Sequence, residues 1–288
     1  MTYFICTAQR SGGNLLCEAL VRTGVAGKPA EYFTPWFAEA DVLGHIFAGF
    51  ERSRWAIERG ACALPDFLCA IQKEGSTSND VFGVKLMWNG LGDFLRKLGE
   101  LPDYSSLAPS ERLLRAFRAP RFIHLKRRDP IRQAVSWALA SQTGRCHSHE
   151  QKLQPALCEP TFDLALIDGL RRAVLEGEAG WAAFFKEACI VPSELYFEDM
   201  VADFPATVRR VLDWIGVAVP DFDLSALDLQ SQTTPLDAEW AERYRAACPD
   251  TNDYELASGE RGVDRVWYLR TYPDVEAAGV DPVKHYLR

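Results

Sequence analysis

The residues best suited to chemistry lie in one short loop near the N-terminus. An apolar stretch ends in QRSGGN, residues 9–14, and an apolar pattern with helical spacing follows directly. A helix N-terminus presents unpaired N–H groups and a partial positive charge, so it binds anions. Arg10 adds a forked donor that suits phosphate or sulfate oxygens. The loop is therefore predicted to bind an anionic group, and the alternative is a plain strand-to-helix turn.

A second concentration of positive charge lies between residues 111 and 132. It contains Arg112, Arg115, Arg118, Arg121, Lys126, Arg127, Arg128 and Arg132 against two acidic residues. The whole chain has a formal net charge of -8, which argues against nucleic acid as a partner. A basic patch in an acidic protein instead favours a small polyanionic ligand. For the arginines before Pro120, a solvated helix face that pairs with nearby acids is an equal alternative.

These residues must be positioned by alternating strands and helices. Strands are predicted at 3–8, 80–88, 121–128 and 189–199, with helical patterns between them. Asp129 followed by Pro130 is a favoured helix start, and residues 142–160 are predicted to form a long loop. Alternation of this kind predicts a parallel sheet with helices on both faces. Ligands bind such sheets at the carboxyl ends of the strands, where the loops after residues 8, 88 and 128 lie.

The composition is that of a globular protein with 288 residues, 48% hydrophobic and 25% charged. We expect one large domain at 1–250 and a separate short helical segment at 262–288. No apolar stretch is long enough for a membrane span, and the N-terminus lacks the pattern of a signal peptide. The eight cysteines form no C-x-x-C pair. The expected location is therefore cytoplasmic, with free thiols.

Several motifs resemble those of sulfotransferases that use 3′-phosphoadenosine-5′-phosphosulfate (PAPS). They are QRSG in the N-terminal loop, R-x-P-x-x-x-x-x-S after the third strand, and LYFEDMVADFP. More narrowly, QRSGGNLLCEALVRTGVAGKPAEYF, GVKLMW and QAVSW resemble the bacterial trehalose 2-sulfotransferase group. The resemblance covers roughly residues 3–247. It implies a P-loop-like three-layer α/β/α fold, a sulfotransferase activity with PAPS as sulfuryl donor, no metal, and a sugar or glycolipid as acceptor. It also allows a homodimer.

The resemblance implies roles for particular residues. The 5′-phosphosulfate would be held by Arg10, Ser11, Gly12, Gly13 and Asn14. Arg128 and Ser136 would hold the 3′-phosphate, although Ser136 has the alternative of a helix–helix contact. Gly13 and Asn14 replace the usual Ser-Thr pair, and Phe197 stands where many members have Tyr. The second departure puts the contacts on the adenine side in question.

The resemblance also implies a catalytic set. Glu31 matches the carboxylate regarded as general base, although by itself it is more simply an exposed loop carboxylate. Lys85 and Arg10 are candidates for stabilising the leaving phosphate. Acceptor contacts are expected from Glu31, Tyr32, Phe33 and Trp88. The aromatic residues Tyr32, Phe33, Trp36 and Phe37 have core packing as an equal alternative.

Other features have simpler interpretations. Cys146, His147 and His149 are close together in the sequence but lack a zinc-binding spacing, and His124 is expected in the core. The segment 262–288 resembles a short module found beside bacterial glycan-modifying enzymes, and we expect the module to be truncated here. Two further functions are therefore weighed. One is a P-loop-type nucleotide kinase, which the missing G-K-[ST] disfavours, and the other is a non-catalytic protein that binds a glycan or a partner.

Overall fold

Four parallel strands form the centre of the molecule. The computed structural model of the chain describes residues 1–33, 64–144, 158–218 and 234–248. Within these residues the sheet has the order β2-β1-β3-β4. The strands are β1 Thr2–Thr7, β2 Phe82–Met87, β3 Arg121–Lys126 and β4 Ser193–Tyr196. Thr7 pairs with Met87 on one side and with Leu125 on the other, so the carboxyl ends of three strands lie side by side.

Helices alternate with the strands, as the sequence predicts. They are α1 Gly13–Arg22, α2 Leu64–Gly75, α3 Trp88–Gly99, α4 Pro109–Ala116, α5 Pro130–Thr143, α6 Leu164–Glu187, α7 Phe197–Ala202, α8 Phe204–Ile215 and α9 Pro235–Ala247. A short 3₁₀ turn spans Pro102–Tyr104. The predicted start of α5 is confirmed, because the Asp129 side chain accepts a hydrogen bond of 3.0 Å from the N–H of Arg132.

The sheet is covered on both faces, and the residues of β1 show how. Phe4 and Cys6 pack into a core with residues of α2, α3, α4 and α6. Tyr3 and Ile5 alternate with them and pack into a second core with residues of α1, α7 and α8. A strand buried on both faces has no polar side, which explains its continuous apolar run. The predicted three-layer α/β/α fold with a central parallel sheet is confirmed.

Two boundaries differ from the sequence prediction. The fourth strand was expected over 189–199, but β4 ends at Tyr196 and helix α7 begins at Phe197. Glu198 and Asp199 therefore lie in the first turn of a helix, where carboxylates interact favourably with the helix dipole. The loop expected from residue 142 begins slightly later, because α5 continues to Thr143. Gly144, with φ of 70°, caps the end of this helix. The helices expected within 37–63, most of the 142–160 loop and the 262–288 segment lie outside the described residues.

The described residues contain no helix that is long and apolar enough to cross a membrane. Their six cysteines are free, and two of them, Cys6 and Cys17, are buried. Burial raises the pKa of the Cys17 thiol to about 12, with a smaller opposing effect from Lys85. Both buried thiols therefore act as apolar packing residues.

The indole of Trp181 on α6 stabilises the core beside β1. Trp181 is fully buried and its Nε1 donates to the Thr7 carbonyl at 3.1 Å. We expect Trp181→Ala to lower the free energy of unfolding by about 3–5 kcal/mol, because it leaves a cavity. The control Trp214→Ala removes an indole that is 38% exposed and should cost about 0.5 kcal/mol or less. Urea unfolding followed by circular dichroism measures both, and equal losses would contradict this description of the core.

Candidate functional site

The loop between β1 and α1 is a tight left-handed turn. Arg10 has φ of 63° and Gly12 has φ of 88°. A Cβ atom added to Gly12 would lie 2.5 Å from the Phe197 ring and 2.8 Å from Cε of Met200. Only glycine therefore fits at this position, because both the backbone conformation and the space exclude a side chain. The turn aims the first N–H groups of α1 at the carboxyl edge of the sheet, as an anion-binding loop requires.

Ser11 ties this loop to the sheet through its side chain. Ser11 is 1% exposed. Its hydroxyl contacts the Thr7 hydroxyl and donates to the Ala8 carbonyl at 3.0 Å. The Thr7 hydroxyl in turn donates to the Leu125 carbonyl on β3 at 2.7 Å. The Ser11 hydroxyl is thus used inside the protein. What Ser11 can offer to a ligand is its backbone N–H.

Lys85 connects the loop to the candidate base. Its Nζ lies 2.5 Å from Asn14 Oδ1 and 2.5 Å from Glu31 Oε1. The Lys85 side chain is 8% exposed and that of Glu31 is 21% exposed. Backbone pairing brings them together, because the Lys85 N–H donates to the Ala30 carbonyl at 3.0 Å. Glu31 is therefore a partly buried and paired carboxylate, and the alternative of an exposed loop carboxylate is wrong.

The Gly13-Asn14 pair fits the lysine that crosses it. A Cβ atom on Gly13 would lie 2.7 Å from Cε of Lys85. The missing side chain at Gly13 leaves room for the lysine stem, and the Asn14 amide oxygen accepts from its ammonium group. At these two positions the loop therefore accommodates and binds a lysine from the neighbouring strand.

The second basic element pairs with carboxylates of α7. The Arg128 guanidinium makes a bidentate pair with Asp199, at 2.7 and 2.6 Å, and lies 4.3 Å from the centre of the Tyr196 ring. The Arg128 N–H also donates to both Glu198 oxygens, at 3.2 and 3.1 Å. This pairing raises the pKa of Arg128 and lowers that of Asp199, in each case through their hydrogen bonds. Arg128 thus sits at the carboxyl end of β3 with its charge already balanced.

The Ser136 side chain contacts Arg10 in the N-terminal loop and not Arg128. Its hydroxyl accepts from Nε of Arg10 at 3.2 Å. The Ser136 hydroxyl thus contacts the N-terminal loop. Arg128 and Ser136, which the sequence assigns to one phosphate, are engaged separately here, with Asp199 and Arg10 respectively.

Arg127 is buried directly behind the loop. Its side chain is 7% exposed, and its Nη1 donates to the Arg10 carbonyl at 3.5 Å. Its guanidinium lies 4.7 Å from the centre of the Phe197 ring. Burial lowers the pKa of Arg127, while Glu198 opposes this shift. Phe197 therefore packs between Gly12 and Arg127, which gives this ring a role in supporting the loop.

The aromatic residues mostly pack the core. Phe33 is 5% exposed and stacks on Phe94 with 3.8 Å between ring centres. The Tyr32 hydroxyl donates to the Lys28 carbonyl at 2.6 Å. Trp88 follows β2 directly and packs against Trp181, with 5.5 Å between the ring centres. Core packing, one of the two alternatives, describes Phe33, so an acceptor contact by its ring is not supported. Trp36 and Phe37 lie outside the described residues.

The remaining candidates have structural surroundings. His124 is 3% exposed, as expected for a core residue, and its Nε2 lies 3.1 Å from Glu178 Oε2. Arg112 donates to the carbonyls of Tyr104 and Leu107 at 3.2 and 3.0 Å. In the described part of the chain, no group of three or more His, Cys, Asp or Glu side chains has a metal-binding arrangement. Cys146, His147 and His149 are not among the described residues.

The sequence matches decide the family. A model of the Stf0 sulphotransferase family matches residues 2–247. The chain belongs to the Stf0 sulphotransferase family. A trehalose 2-sulfotransferase of Mycobacterium tuberculosis (strain ATCC 35801 / TMC 107 / Erdman) is 31% identical over 263 residues, covering 86% of this chain and 95% of its own length. A trehalose 2-sulfotransferase of Mycolicibacterium smegmatis (strain ATCC 700084 / mc(2)155) is 30% identical and covers 84% of this chain and 94% of its own length.

Solved structures show weaker likenesses. A sulfotransferase from Mycobacterium avium aligns with a TM-score of 0.45 and 13% identity over 88% of this chain and 77% of its own. The sulfotransferase domain of the Synechococcus PCC 7002 olefin synthase aligns with a TM-score of 0.41 and 15% identity. This alignment covers 95% of this chain and 94% of that domain's chain. The assignment therefore rests on the sequence matches, which identify this Stf0 protein as a sulfotransferase enzyme.

Sequence reasoning missed two residues of the candidate site. Asp199 was part of a recognised motif, but its pairing with Arg128 was not predicted. Gln133 was part of QAVSW and received no role, yet its amide donates to the Gln9 carbonyl at 2.6 Å. A signal for Gln133 exists in the sequence, because it is a polar residue between Ile131 and Ala134 on a helix with several buried apolar positions.

Gly13→Ala tests the placement of Lys85 in this sulfotransferase. The new methyl group would displace the flexible end of Lys85, so kcat/KM for sulfuryl transfer should fall by about tenfold to a hundredfold. The fold should be retained, since alanine in a helix is more stable than glycine by about 0.5–1 kcal/mol. Gly92→Ala on α3 is the matched control, because a Cβ atom there meets no neighbour. Equal kcat/KM for the Gly13 and Gly92 variants would show that the lysine position does not matter.

Proposed function

We propose that this sulfotransferase moves the sulfuryl group of PAPS to a hydroxyl of a sugar or glycolipid, with Glu31 as general base. The observation that carries this proposal is the contact of Lys85 with both Asn14 and Glu31. It joins an anion-binding loop to a carboxylate through one cation. A transfer reaction needs these three parts side by side, since the donor group, the charge that develops and the acceptor proton meet at one place.

The residues present fit the two anionic ends of PAPS. The left-handed turn at Arg10 and Gly12 leaves the first turn of α1 to receive the 5′-phosphosulfate. Arg128 would hold the 3′-phosphate. Its pair with Asp199 uses one hydrogen on each terminal nitrogen, so further donors remain for a phosphate. In this proposal the 3′-phosphate binds beside Asp199 or replaces it on Arg128, and Ser136 adds a hydroxyl one helix away.

The proposed step is an in-line displacement at sulfur. The acceptor oxygen forms a bond to sulfur as the bond between sulfur and the 5′-phosphate oxygen breaks. The acceptor proton passes to the Glu31 carboxylate. The products are a sulfate ester and adenosine 3′,5′-bisphosphate. Charge spreads over the equatorial oxygens, so positioning and electrostatics supply most of the catalysis, as in phosphoryl transfer.

Lys85 has two roles in this step. Before reaction its ammonium group balances Glu31, at 2.5 Å. As Glu31 gains the proton, its charge disappears and the ammonium is released toward the leaving phosphate. A cation about 4 Å from a developing charge contributes roughly 4 kcal/mol at an effective dielectric constant near 20. Arg10 is the second cation in reach of the same group.

The proposed acceptor class follows from the relatives. Two curated relatives at about 30% identity are named trehalose 2-sulfotransferases, so a trehalose-type disaccharide is the first acceptor to test. Product analysis by mass spectrometry, with isotopically labelled PAPS and a panel of sugars and glycolipids, would show which acceptor gains the sulfuryl group.

Glu31→Gln tests the base. Glutamine keeps an oxygen for Lys85 but cannot take the acceptor proton, so kcat should fall by about 10²–10⁴-fold. Stabilisation by adenosine 3′,5′-bisphosphate should stay as in the wild type. Glu18→Gln is the control, since it removes the same charge from an exposed position paired with Arg22. Turnover near that of the wild type in the Glu31 variant would remove Glu31 from the base role.

Ligand-dependent melting tests the donor. Adenosine 3′,5′-bisphosphate at a hundred times its Kd should stabilise the protein by about 2.7 kcal/mol. Adenosine 5′-monophosphate should stabilise it less, because it lacks the 3′-phosphate. Arg128→Met should reduce this difference between the two ligands, whereas Arg22→Met, at the far end of α1, should not. Greater stabilisation by ATP with Mg²⁺ would favour a nucleotide kinase instead.

A further inference from the structure

Gln133 is a buried amide that points at the donor loop. It lies near the start of α5 and is fully buried. Its Nε2 donates to the Gln9 carbonyl at 2.6 Å. Its Oε1 is also buried and has no hydrogen-bond partner among the described residues. Among the described residues, the hydrogen bond to the loop is therefore the only one that the Gln133 side chain makes.

An amide is a costly way to fill this position. A buried acceptor without a partner loses its hydrogen bonds to water and gains none in return. Methionine has nearly the same length and volume and would fill the space without that loss. What glutamine provides and methionine lacks is the N–H donor for Gln9. The glutamine at position 133 is thus explained by its hydrogen bond to Gln9 and not by packing.

The Gln9 carbonyl belongs to the peptide that precedes Arg10, the residue with φ of 63°. A non-glycine residue holds this conformation only where its surroundings fix it. Three described groups contact Arg10 or the peptides beside it. Gln133 holds the peptide before it, Arg127 donates to its own carbonyl at 3.5 Å, and Ser136 accepts from its Nε at 3.2 Å. Gln133 and Ser136 are three residues apart on one helix and therefore share a face.

We propose that Gln133 is a positioning residue for the donor-binding loop. Its amide fixes the Gln9–Arg10 peptide and so directs the Arg10 guanidinium to Ser136, between the two phosphate-binding elements. The inference rests on the proposed function, in which Arg10 binds the 5′ end of PAPS. It assigns to Gln133 no contact with substrate, and its effect on donor binding passes through Arg10.

Gln133→Met tests this role against a matched control. The control is Gln142→Met, because Gln142 lies on the same helix and its Nε2 also donates to a carbonyl, that of Thr161, at 3.0 Å. For Gln133→Met we expect the KM for PAPS and the Kd for adenosine 3′,5′-bisphosphate to rise about tenfold. The KM for the acceptor at saturating PAPS should not change. Gln142→Met should leave all three constants as in the wild type.

The same variant in an Arg10→Ala background tests whether Gln133 acts through Arg10. In that background Gln133→Met should produce no further rise in the Kd for the bisphosphate, since coupled residues are not additive. A full tenfold rise in both backgrounds would overturn the proposal. An unchanged Kd in Gln133→Met would also overturn it.

A folding control keeps the result interpretable. Gln133→Met and Gln133→Leu should melt within a few degrees of the wild type in the absence of ligand, and an unfolded protein in both cases would assign Gln133 to stability and overturn the proposal. Wild-type protein that does not bind the bisphosphate would instead refute the proposed function. Binding by the wild type and equally by Gln133→Met would refute only the positioning role.

Discussion

A lysine ammonium held between a loop amide and a carboxylate is the contact on which the candidate site depends. Lys85 reaches Asn14 and Glu31, both at 2.5 Å, from a side chain that is 8% exposed. A charge so far from water needs both partners, and removing one partner of a buried pair costs about 3–5 kcal/mol. The missing side chain at Gly13 makes this crossing possible. β2 thus contributes a lysine to a loop whose own cation is Arg10.

The sheet supplies the rigidity that this contact requires. β1 lies between β2 and β3, so its loop can be fixed from both sides. Ser11 and Thr7 bind it to β3, Phe197 and Met200 fill the space beside Gly12, and Gln133 holds Gln9. Each contact restrains the backbone and leaves the first turn of α1 for a ligand. Preorganised donors of this kind need no rearrangement when an anion binds.

A carboxylate of the protein pairs with the basic side chain at each of the two basic elements. Glu31 pairs with Lys85, and Asp199 pairs with Arg128. In the proposed function the 3′-phosphate joins Asp199 on Arg128 or replaces it, and each of the two elements binds one anionic end of the donor.

The sequence by itself determined the local features. Apolar runs, the QRSGGN loop and the Asp129-Pro130 helix start predicted the strands, the strand-to-helix turn and α5, because each depends on residues close together in the chain. The order of motifs also indicated the family. Only the tertiary structure decided which side chains meet. Lys85 joins Glu31 across 54 residues and Asn14 across 71, and Ser136 meets Arg10 instead of Arg128. Phe33 faces the core although its spacing allowed a sugar pocket. Such contacts follow from how distant segments pair with the sheet and how helices pack on it, and no periodicity along the chain encodes them.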